Sequence, residues 1–178
     1  MSGCQNLSEN TASSKNRWSL QMAVEIERKF LVVGDEWRSL ASGTAYAQGY
    51  ITSGAGKTVR VRIIGDKGYL TIKGATVGLA RMEFEYPIPV ADAREMLDRL
   101  CDEPPVEKTR YKIPIGDLVW EVDEFTGANQ GLIVAEVELT DEHQKIERPD
   151  WIGMEVSHDA RYYNANLAKF PYSSWRKS

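Results

Sequence analysis

Apolar and charged residues alternate with a period of two along several short segments of this sequence, and no other feature constrains the fold as strongly. In an extended strand, successive side chains point to opposite faces of the sheet. Val59, Val61 and Ile63 therefore share one face, while Arg60 and Arg62 share the other. The same alternation recurs at 25–30, 70–73, 82–86, 109–113, 120–123 and 135–139. The sequence predicts a sheet with one apolar face and one charged face.

Turn residues divide most of the chain into short predicted strands, with few predicted helices. Strands are predicted at 23–33, 46–52, 58–64, 68–74, 81–88, 106–115, 118–126 and 131–140. Helices are predicted at 35–41, 90–101 and around 159–169. Eight strands without βαβ alternation favour an antiparallel sheet that is closed or nearly closed on itself. The predicted fold class is α+β, mainly β: an eight-stranded antiparallel β-barrel, or tunnel, with a few helices packed outside.

The length of 178 residues is enough for one well-buried core but short for two. Residues 1–21 are rich in Ser, Asn, Thr and Gln and have almost no apolar periodicity. This composition predicts a flexible N-terminal tail ahead of one domain at 22–178. Met22 stands just before the first predicted strand and is an alternative start of the functional chain.

Composition and charge argue against several classes of protein. No apolar run approaches the roughly 18 residues that a membrane span needs, so we expect neither a span nor a secretory signal. Cys4 and Cys101 stand in unlike contexts, which disfavours a disulfide framework and favours a cytoplasmic protein. The net charge of −4 argues against a nucleic-acid-binding surface.

The charged face carries repeated pairs of like charges, which are unusual for a solvated strand. Glu25, Glu27 and Lys29 project together, and two carboxylates about 7 Å apart repel each other unless a cation lies between them. Acidic pairs recur on four strands although Glu is disfavoured in strands, and basic residues occur on four. A sheet with one wet face is the simpler alternative. If the sheet closes, these charges instead line a lumen, with Arg and Lys for a polyanion and Glu for a divalent cation such as Mg²⁺ or Mn²⁺.

Nine short motifs occur in order on the predicted elements. They are E-x-E-x-K at Glu25, Glu27 and Lys29, followed by the segments 48–50, 59–62, 70–74, 81–85, 107–111, 121–123, 135–138 and 159–162. With these motifs the chain resembles the CYTH superfamily, also called triphosphate tunnel metalloenzymes, over roughly residues 23–170. The resemblance implies an eight-stranded antiparallel tunnel that binds a linear triphosphate and requires Mg²⁺ or Mn²⁺ for catalysis.

The resemblance also implies roles for individual residues. Phosphate oxygens would be bound by Lys29, Arg60, Arg62, Lys73, Lys108 and Arg110, and Arg161 would close one mouth of the tunnel. The catalytic metal would be held by Glu25, Glu27 and Glu138 with Glu136 near them, while Glu83, Glu85 and Asp123 are candidates for a second cation or its water shell.

Three residues are candidates for catalysis itself: Lys29, Tyr50 and Lys108. Tyr50, expected near Lys108, is a candidate to orient water or to transfer a proton, and a buried, hydrogen-bonded tyrosine is the alternative. Ala160 departs from the family pattern, because relatives often have Lys there. The phosphate contact at that end of the tunnel is therefore left open.

The function implied by the resemblance is hydrolysis of a linear triphosphate, with inorganic tripolyphosphate as the leading substrate and diphosphate and phosphate as products. A class IV type adenylate cyclase is disfavoured, because the His-Phe pair of that branch is missing from residues 18–24. Thiamine triphosphatase remains an alternative. So does a polyphosphate- or nucleotide-binding module, although a pure binder gains nothing from carboxylates beside a polyanion. The expected partner is a small-molecule triphosphate, and a homodimer is left open.

Overall fold

Nine antiparallel strands form one sheet in the computed structural model, which describes residues 26–54, 57–77, 80–141 and 143–175. The strands are β1 (Ile26–Val32), β2 (Gly43–Gly54), β3 (Lys57–Ile64), β4 (Lys67–Val77), β5 (Ala80–Ile88), β6 (Val106–Ile115), β7 (Leu118–Phe125), β8 (Ile133–Leu139) and β9 (Ile152–Glu155). Their order in the sheet is β5-β4-β3-β2-β6-β7-β8-β1-β9. The prediction of a mainly antiparallel β fold is confirmed.

The described chain also contains two α-helices and four short 3₁₀ helices, three of which lie between strands and three of which follow β9. The α-helices are α1 (Val90–Arg99) and α2 (Asn164–Lys169), and the 3₁₀ helices are Glu36–Ser39, Gly127–Asn129, Ala160–Tyr162 and Tyr172–Ser174. The helix predicted at 35–41 is only one 3₁₀ turn. The helix predicted at 159–169 is broken at Tyr163, whose extended backbone (φ −76°, ψ 133°) separates a 3₁₀ turn from α2.

The strand count and the closure of the sheet differ from the prediction. The count of eight is wrong, because β9 adds to the outside of β1, where the carboxylate of Glu155 pairs with Arg28. Four residues are too few for the period of two to be recognised in the sequence. The hydrogen-bonded order ends at β5 and at β9, and no pairing joins these two ends among the residues that the structure describes. A closed barrel is therefore not confirmed.

The apolar face of the sheet is covered in separate patches. Ala93 and Leu97 of α1 pack on Val61 and Ile63 of β3. A Cβ at Gly68 would lie 2.9 Å from the Cβ of Ala93, so this glycine allows α1 to approach the sheet closely. Full burial of a side chain such as Leu97 stabilises the fold by about 1.5–3 kcal/mol.

A second apolar patch is rich in aromatic residues. The Phe30 and Trp120 rings lie 5.5 Å apart edge to face, and Trp120 meets Trp151 at 5.9 Å. In a third patch, Tyr162 and Leu167, on either side of the start of α2, pack against residues of β6 and β8. The apolar face is covered in this way, and the charged side chains of the strands lie on the opposite face of the sheet. No helix in the described residues is both long and apolar enough to cross a membrane.

Candidate active site

The charged faces of eight strands and the first residue of α2 enclose a cavity of about 570 Å³. Because the sheet curls, side chains from strands distant in the sequence meet there. All six cationic residues predicted on the strands line this cavity: Lys29, Arg60, Arg62, Lys73, Lys108 and Arg110. The predicted carboxylates Glu27, Glu83, Glu85, Glu136 and Glu138 line it too. Alternation within each strand and the curl of the sheet together produce this convergence.

The cavity has two walls that differ in how their charges are paired. The β3–β5 wall consists of Arg60, Arg62, Lys73, Glu83 and Glu85. The β6–β1 wall consists of Lys29, Lys108, Arg110, Lys112, Glu27, Glu121, Asp123, Glu136 and Glu138. Strand β2 lies between them in the sheet and contributes the neutral residues Tyr46 and Gln48.

Charges in the β6–β1 wall form a continuous network of short contacts. Arg110 donates through Nε to Asp123 Oδ1 at 2.6 Å and through Nη2 to Glu136 Oε2 at 2.8 Å. Lys29 Nζ lies 2.6 Å from Glu136 Oε1 and 2.8 Å from Glu27 Oε1. Asp123, predicted near a second cation, instead lies fully buried beneath Lys108 and Arg110. These side chains hold one another in place before any ligand arrives.

Burial and pairing shift the pKa values of the network in opposite directions. Burial favours the neutral form of Glu136, but Lys108, Lys29 and Arg110 outweigh it and lower its pKa. Burial likewise disfavours charged Lys29, yet Glu136 and Glu27 raise its pKa. For Lys108, burial dominates and lowers the pKa in spite of Asp123. Lys108 is therefore the lysine of this network for which burial outweighs the pairing with carboxylates.

In the β3–β5 wall, Arg62 lies 2.8 Å from Glu85 and Lys73 lies 2.6 Å from Glu83, whereas Arg60 is paired more loosely. Arg60 Nη2 lies 3.6 Å from Glu85 Oε2 and 3.9 Å from Glu83 Oε1, beyond hydrogen-bonding distance. The Nε atoms of Arg60 and Arg62 are buried and have no hydrogen-bond partner in the described structure. Burial, followed by the repulsion from Arg62, lowers the pKa of Arg60. Donors remain available here for an anionic ligand.

The two walls also differ in net charge. The β3–β5 wall carries three cationic side chains and two carboxylates, a net charge of +1. The β6–β1 wall carries four cationic side chains and five carboxylates when the buried Asp123 is included, a net charge of −1. The β3–β5 wall therefore favours an anion, and the β6–β1 wall favours a cation.

Of the remaining predicted residues, Tyr50 and Arg161 are not among the lining residues that the structure describes, although Tyr50 lies opposite Arg60 in the sheet. Tyr50 accepts a hydrogen bond from Gln48 Nε2 at 3.2 Å, and burial raises its pKa. The tyrosine directly opposite Lys108 in the sheet is Tyr46, so a role for Tyr50 in catalysis stays a prediction. Arg161 is exposed and pairs with Asp159 at 2.5 Å, away from the cavity lining of the described residues. Its role at a tunnel mouth also stays a prediction, and Glu25 lies outside the described residues.

Six lining residues were missing from the predicted site: Tyr46, Gln48, Ile64, Lys112, Glu121 and Asn164. Lys112 and Glu121 lie on charged faces that the alternation already predicts, so the same period of two was a usable signal. Tyr46 and Gln48 precede Tyr50 at the same spacing, but they are neutral and did not stand out among the charges. Asn164 lies on a helix, and only the tertiary fold brings it to the cavity.

The carboxylates of the cavity fit a divalent cation that arrives with phosphate. Glu27 of β1 lies directly opposite Glu138 of β8 in the antiparallel register, and both line the cavity. Like charges directly opposite each other destabilise a sheet unless a cation relieves the repulsion. Among the described residues, no group of three or more His, Cys, Asp or Glu is arranged to hold a metal. Two carboxylates nevertheless suit Mg²⁺, which typically binds one or two carboxylates, substrate phosphates and waters.

Comparisons with known proteins give a consistent family. The family model described as "CYTH domain" matches residues 23–168. An inorganic triphosphatase of Acetivibrio thermocellus is 53% identical over 156 residues, which are 88% of this chain and 100% of that protein. An inorganic triphosphatase of Nitrosomonas europaea is 39% identical over 153 residues, which are 81% of this chain and 96% of that protein.

A solved structure supports the same assignment. The crystal structure of the inorganic triphosphatase NE1496 has a TM-score of 0.62 and 35% sequence identity, and the likeness covers 83% of this chain and 95% of that one. The family match spans most of the sequence and includes every described strand that lines the cavity. This chain belongs to the CYTH domain family.

Proposed function

We propose that this protein hydrolyses a linear triphosphate, with inorganic tripolyphosphate as the substrate and diphosphate and phosphate as the products. One observation carries the proposal: cationic side chains from β1, β3, β4 and β6 converge on one cavity. A single phosphate cannot contact cations spread over so many strands. The names of the two relatives described above, both inorganic triphosphatases, support the same substrate class.

The β3–β5 wall is suited to bind phosphate oxygens. Arg60 and Arg62 retain buried donors without partners in the described structure, and a planar guanidinium matches two phosphate oxygens at once. Lys73 adds a point charge from the neighbouring strand β4. In phosphoryl transfer, positioning and charge neutralisation contribute most of the catalysis. These residues would stabilise the negative charge that develops on the leaving diphosphate.

The negatively charged wall is suited to bind Mg²⁺ or Mn²⁺. Glu27 and Glu138, facing each other across β1 and β8, would hold the ion, and Glu25 and Glu136 are the further candidates from the sequence. The metal would polarise the terminal phosphoryl group or lower the pKa of a bound water. Lys29, paired to Glu27 and Glu136, would orient these carboxylates and contact the phosphoryl group that lies beside them.

We infer that the curled sheet acts as a tunnel around the bound triphosphate. The lining residues Glu83 and Glu85 come from β5, at one end of the sheet, and Glu27 and Lys29 come from β1, near the other end. A polyanion and its metal in the shared cavity would draw both ends toward the same ligand. A tunnel would also exclude bulk water, which strengthens each charge interaction within it.

Phosphate release by the purified protein tests the substrate. We expect rapid release from tripolyphosphate with Mg²⁺ or Mn²⁺, slower release from ATP and thiamine triphosphate, and little from diphosphate or para-nitrophenyl phosphate. Fastest turnover of diphosphate or of the monoester would contradict a site built for three phosphates. Formation of cyclic AMP from ATP would favour a cyclase instead. Tight binding of tripolyphosphate without any phosphate release would favour a binding module.

Two further proposals concern the setting in which the protein acts. A cytoplasmic location rests on the unlike contexts of Cys4 and Cys101, which suit a reducing compartment. A homodimer and the absence of a nucleic-acid partner remain sequence-based predictions. Light scattering at several protein concentrations would measure the oligomeric state directly.

A further inference from the structure

Asn164, the first residue of α2, is a neutral amide in a cavity lined mostly by charged groups. Its side-chain oxygen Oδ1 is buried and has no hydrogen-bond partner in the described residues. Leaving a buried acceptor without a donor disfavours the folded state. The observed orientation of this amide therefore does not stabilise the ligand-free fold, and rotation of the amide would let a group in the cavity donate to Oδ1.

The segment that carries Asn164 is firmly held. Tyr162 and Leu167, on either side of it, are buried in an apolar cluster with residues of β6 and β8. Tyr163 donates from its hydroxyl to the Ser157 carbonyl at 3.1 Å, and Asn166 Nδ2 donates to the Ala160 carbonyl at 2.7 Å. The backbone of Asn164 is thus positioned, whereas no described contact holds Oδ1. Rotation about its Cβ–Cγ bond can turn the acceptor into the cavity.

Five of the carboxylates on the cavity walls are already engaged. Glu27, Glu83, Glu85, Glu121 and Glu136 each contact a Lys or Arg side chain. A water molecule bound to one of these carboxylates would compete with a cation. Helix α2 packs against β2 and β6, so the Asn164 amide lies beside the junction of the two walls. A triphosphate that spans both walls would pass this position.

We infer that Asn164 Oδ1 accepts a hydrogen bond from the water that attacks the terminal phosphorus. This inference rests on the proposed triphosphatase function. An amide oxygen can orient a water without taking its proton, as a glutamine does in some GTP-hydrolysing proteins. Asn164 is therefore a water-positioning residue, and the proton is transferred elsewhere.

The step balances with water as the only co-reactant. The water oxygen forms a bond to the terminal phosphorus, and the bond from this phosphorus to the bridging oxygen breaks. The electron pair of that bond leaves on diphosphate. The water hydrogen that is hydrogen-bonded to Oδ1 remains on the new phosphate as its hydroxyl hydrogen. The other proton passes to a phosphate oxygen of the leaving diphosphate.

The test compares Asn164→Ala and Asn164→Asp with a control, Lys169→Ala, at an exposed position of the same helix. For tripolyphosphate hydrolysis, Asn164→Ala should lower kcat by about 10-fold or more, while KM changes by less than about 3-fold. Asn164→Asp keeps an acceptor at the same position and should recover part of the lost kcat. Lys169→Ala should leave kcat unchanged.

Thermal unfolding provides the second readout. Asn164→Ala removes an acceptor that has no partner in the described structure, so its Tm should equal or exceed that of the wild type. Asn166→Ala removes a hydrogen bond to Ala160 and should lower Tm. A merely structural role for Asn164 predicts the reverse: lower Tm for Asn164→Ala and no recovery of kcat by Asn164→Asp.

Other outcomes separate this inference from the proposed function. A wild type that releases phosphate, with an equal kcat for Asn164→Ala, would overturn the assignment of Asn164 alone. Weaker tripolyphosphate binding with unchanged kcat would also overturn it, because the amide would then bind phosphate instead of water. A wild type that releases no phosphate from any triphosphate would overturn both.

Discussion

The β3–β5 wall and the β6–β1 wall use the same residue types but arrange them differently. In the β6–β1 wall, Arg110 bridges Asp123 and Glu136 in direct hydrogen bonds. In the β3–β5 wall, Arg60 lies 3.6 Å from its nearest charged partner, Glu85, and its buried Nε has no partner in the described structure. The β6–β1 wall is therefore a preorganised network, whereas the β3–β5 wall keeps buried donors of Arg60 and Arg62 available. The same kind of cationic side chain should stabilise the fold in the β6–β1 wall and bind ligand in the β3–β5 wall.

The largest expected effect concerns the net negative charge of the β6–β1 wall. If a divalent cation neutralises Glu27 and Glu138, excess chelator should abolish triphosphate hydrolysis, and added Mg²⁺ or Mn²⁺ should restore it. Phosphate release measured before and after chelation, and again after metal addition, decides the question. Undiminished turnover in chelator would show that protein cations alone satisfy this wall.

Replacement of one carboxylate tests the same wall without changing its shape. Glu27→Gln should lower kcat by about 100-fold or more, the scale of losing a main electrostatic group. Glu95→Gln, on the exposed outer surface of α1, is the matched control and should have wild-type kinetics. A small change in kcat for Glu27→Gln would mean that Glu27 only pairs with Lys29.

The buried end of the network should matter most for stability. Asp123→Ala leaves Lys108 and Arg110 without their buried carboxylate, and the free energy of unfolding should fall by about 3–5 kcal/mol. Urea unfolding followed by tryptophan fluorescence measures this loss. An Asp123→Ala protein as stable as the wild type would remove the distinction between a structural wall and a binding wall.

Arg60→Ala is the counterpart in the β3–β5 wall. Triphosphate binding should weaken by about 1.5–3 kcal/mol, the range for a charge-assisted hydrogen bond. Stability should be retained or improved, because burial and Arg62 both oppose the charged form of Arg60 and lower its pKa. Calorimetric titration with tripolyphosphate and urea unfolding give the two numbers. Loss of folding with Arg60→Ala would assign this arginine to the fold.

The smallest expected difference between the walls is in how stability depends on acidic pH. The pKa of Glu136 is lowered from 4.5 to about 2 in the folded protein, so the unfolded chain binds more protons between these values. The stability contributed by ionised Glu136 is present above pH 4.5 and is lost as the pH falls toward 2. Between pH 6 and 2, the wild type should therefore lose stability more steeply than Glu136→Gln. Parallel pH profiles would contradict the pairing of Glu136 with Lys29, Lys108 and Arg110.

The sequence predicts the local part of this structure well, because the period of two is a local signal. It separates the two faces of each strand, and it places Arg60 and Arg62 with the charges and Val61 with the core. It misses β9, which is too short to show a period, and overestimates the helix at 35–41, where only Glu36–Ser39 forms a 3₁₀ turn. The strand order is also invisible locally, since β1 pairs with β8 and β9.

By itself, the sequence determined which side chains of a strand share its charged face, because backbone geometry alone makes alternate residues of a strand share a face. Only the tertiary structure decided which charges satisfy one another. Lys29 meets Glu136, 107 residues away, because β1 and β8 are neighbours in the sheet. The tertiary structure also placed Asp123 beneath Arg110 and brought Asn164 to the cavity. Such partners depend on register and on the curl of the whole sheet, which arise from packing between distant segments and not from local patterns.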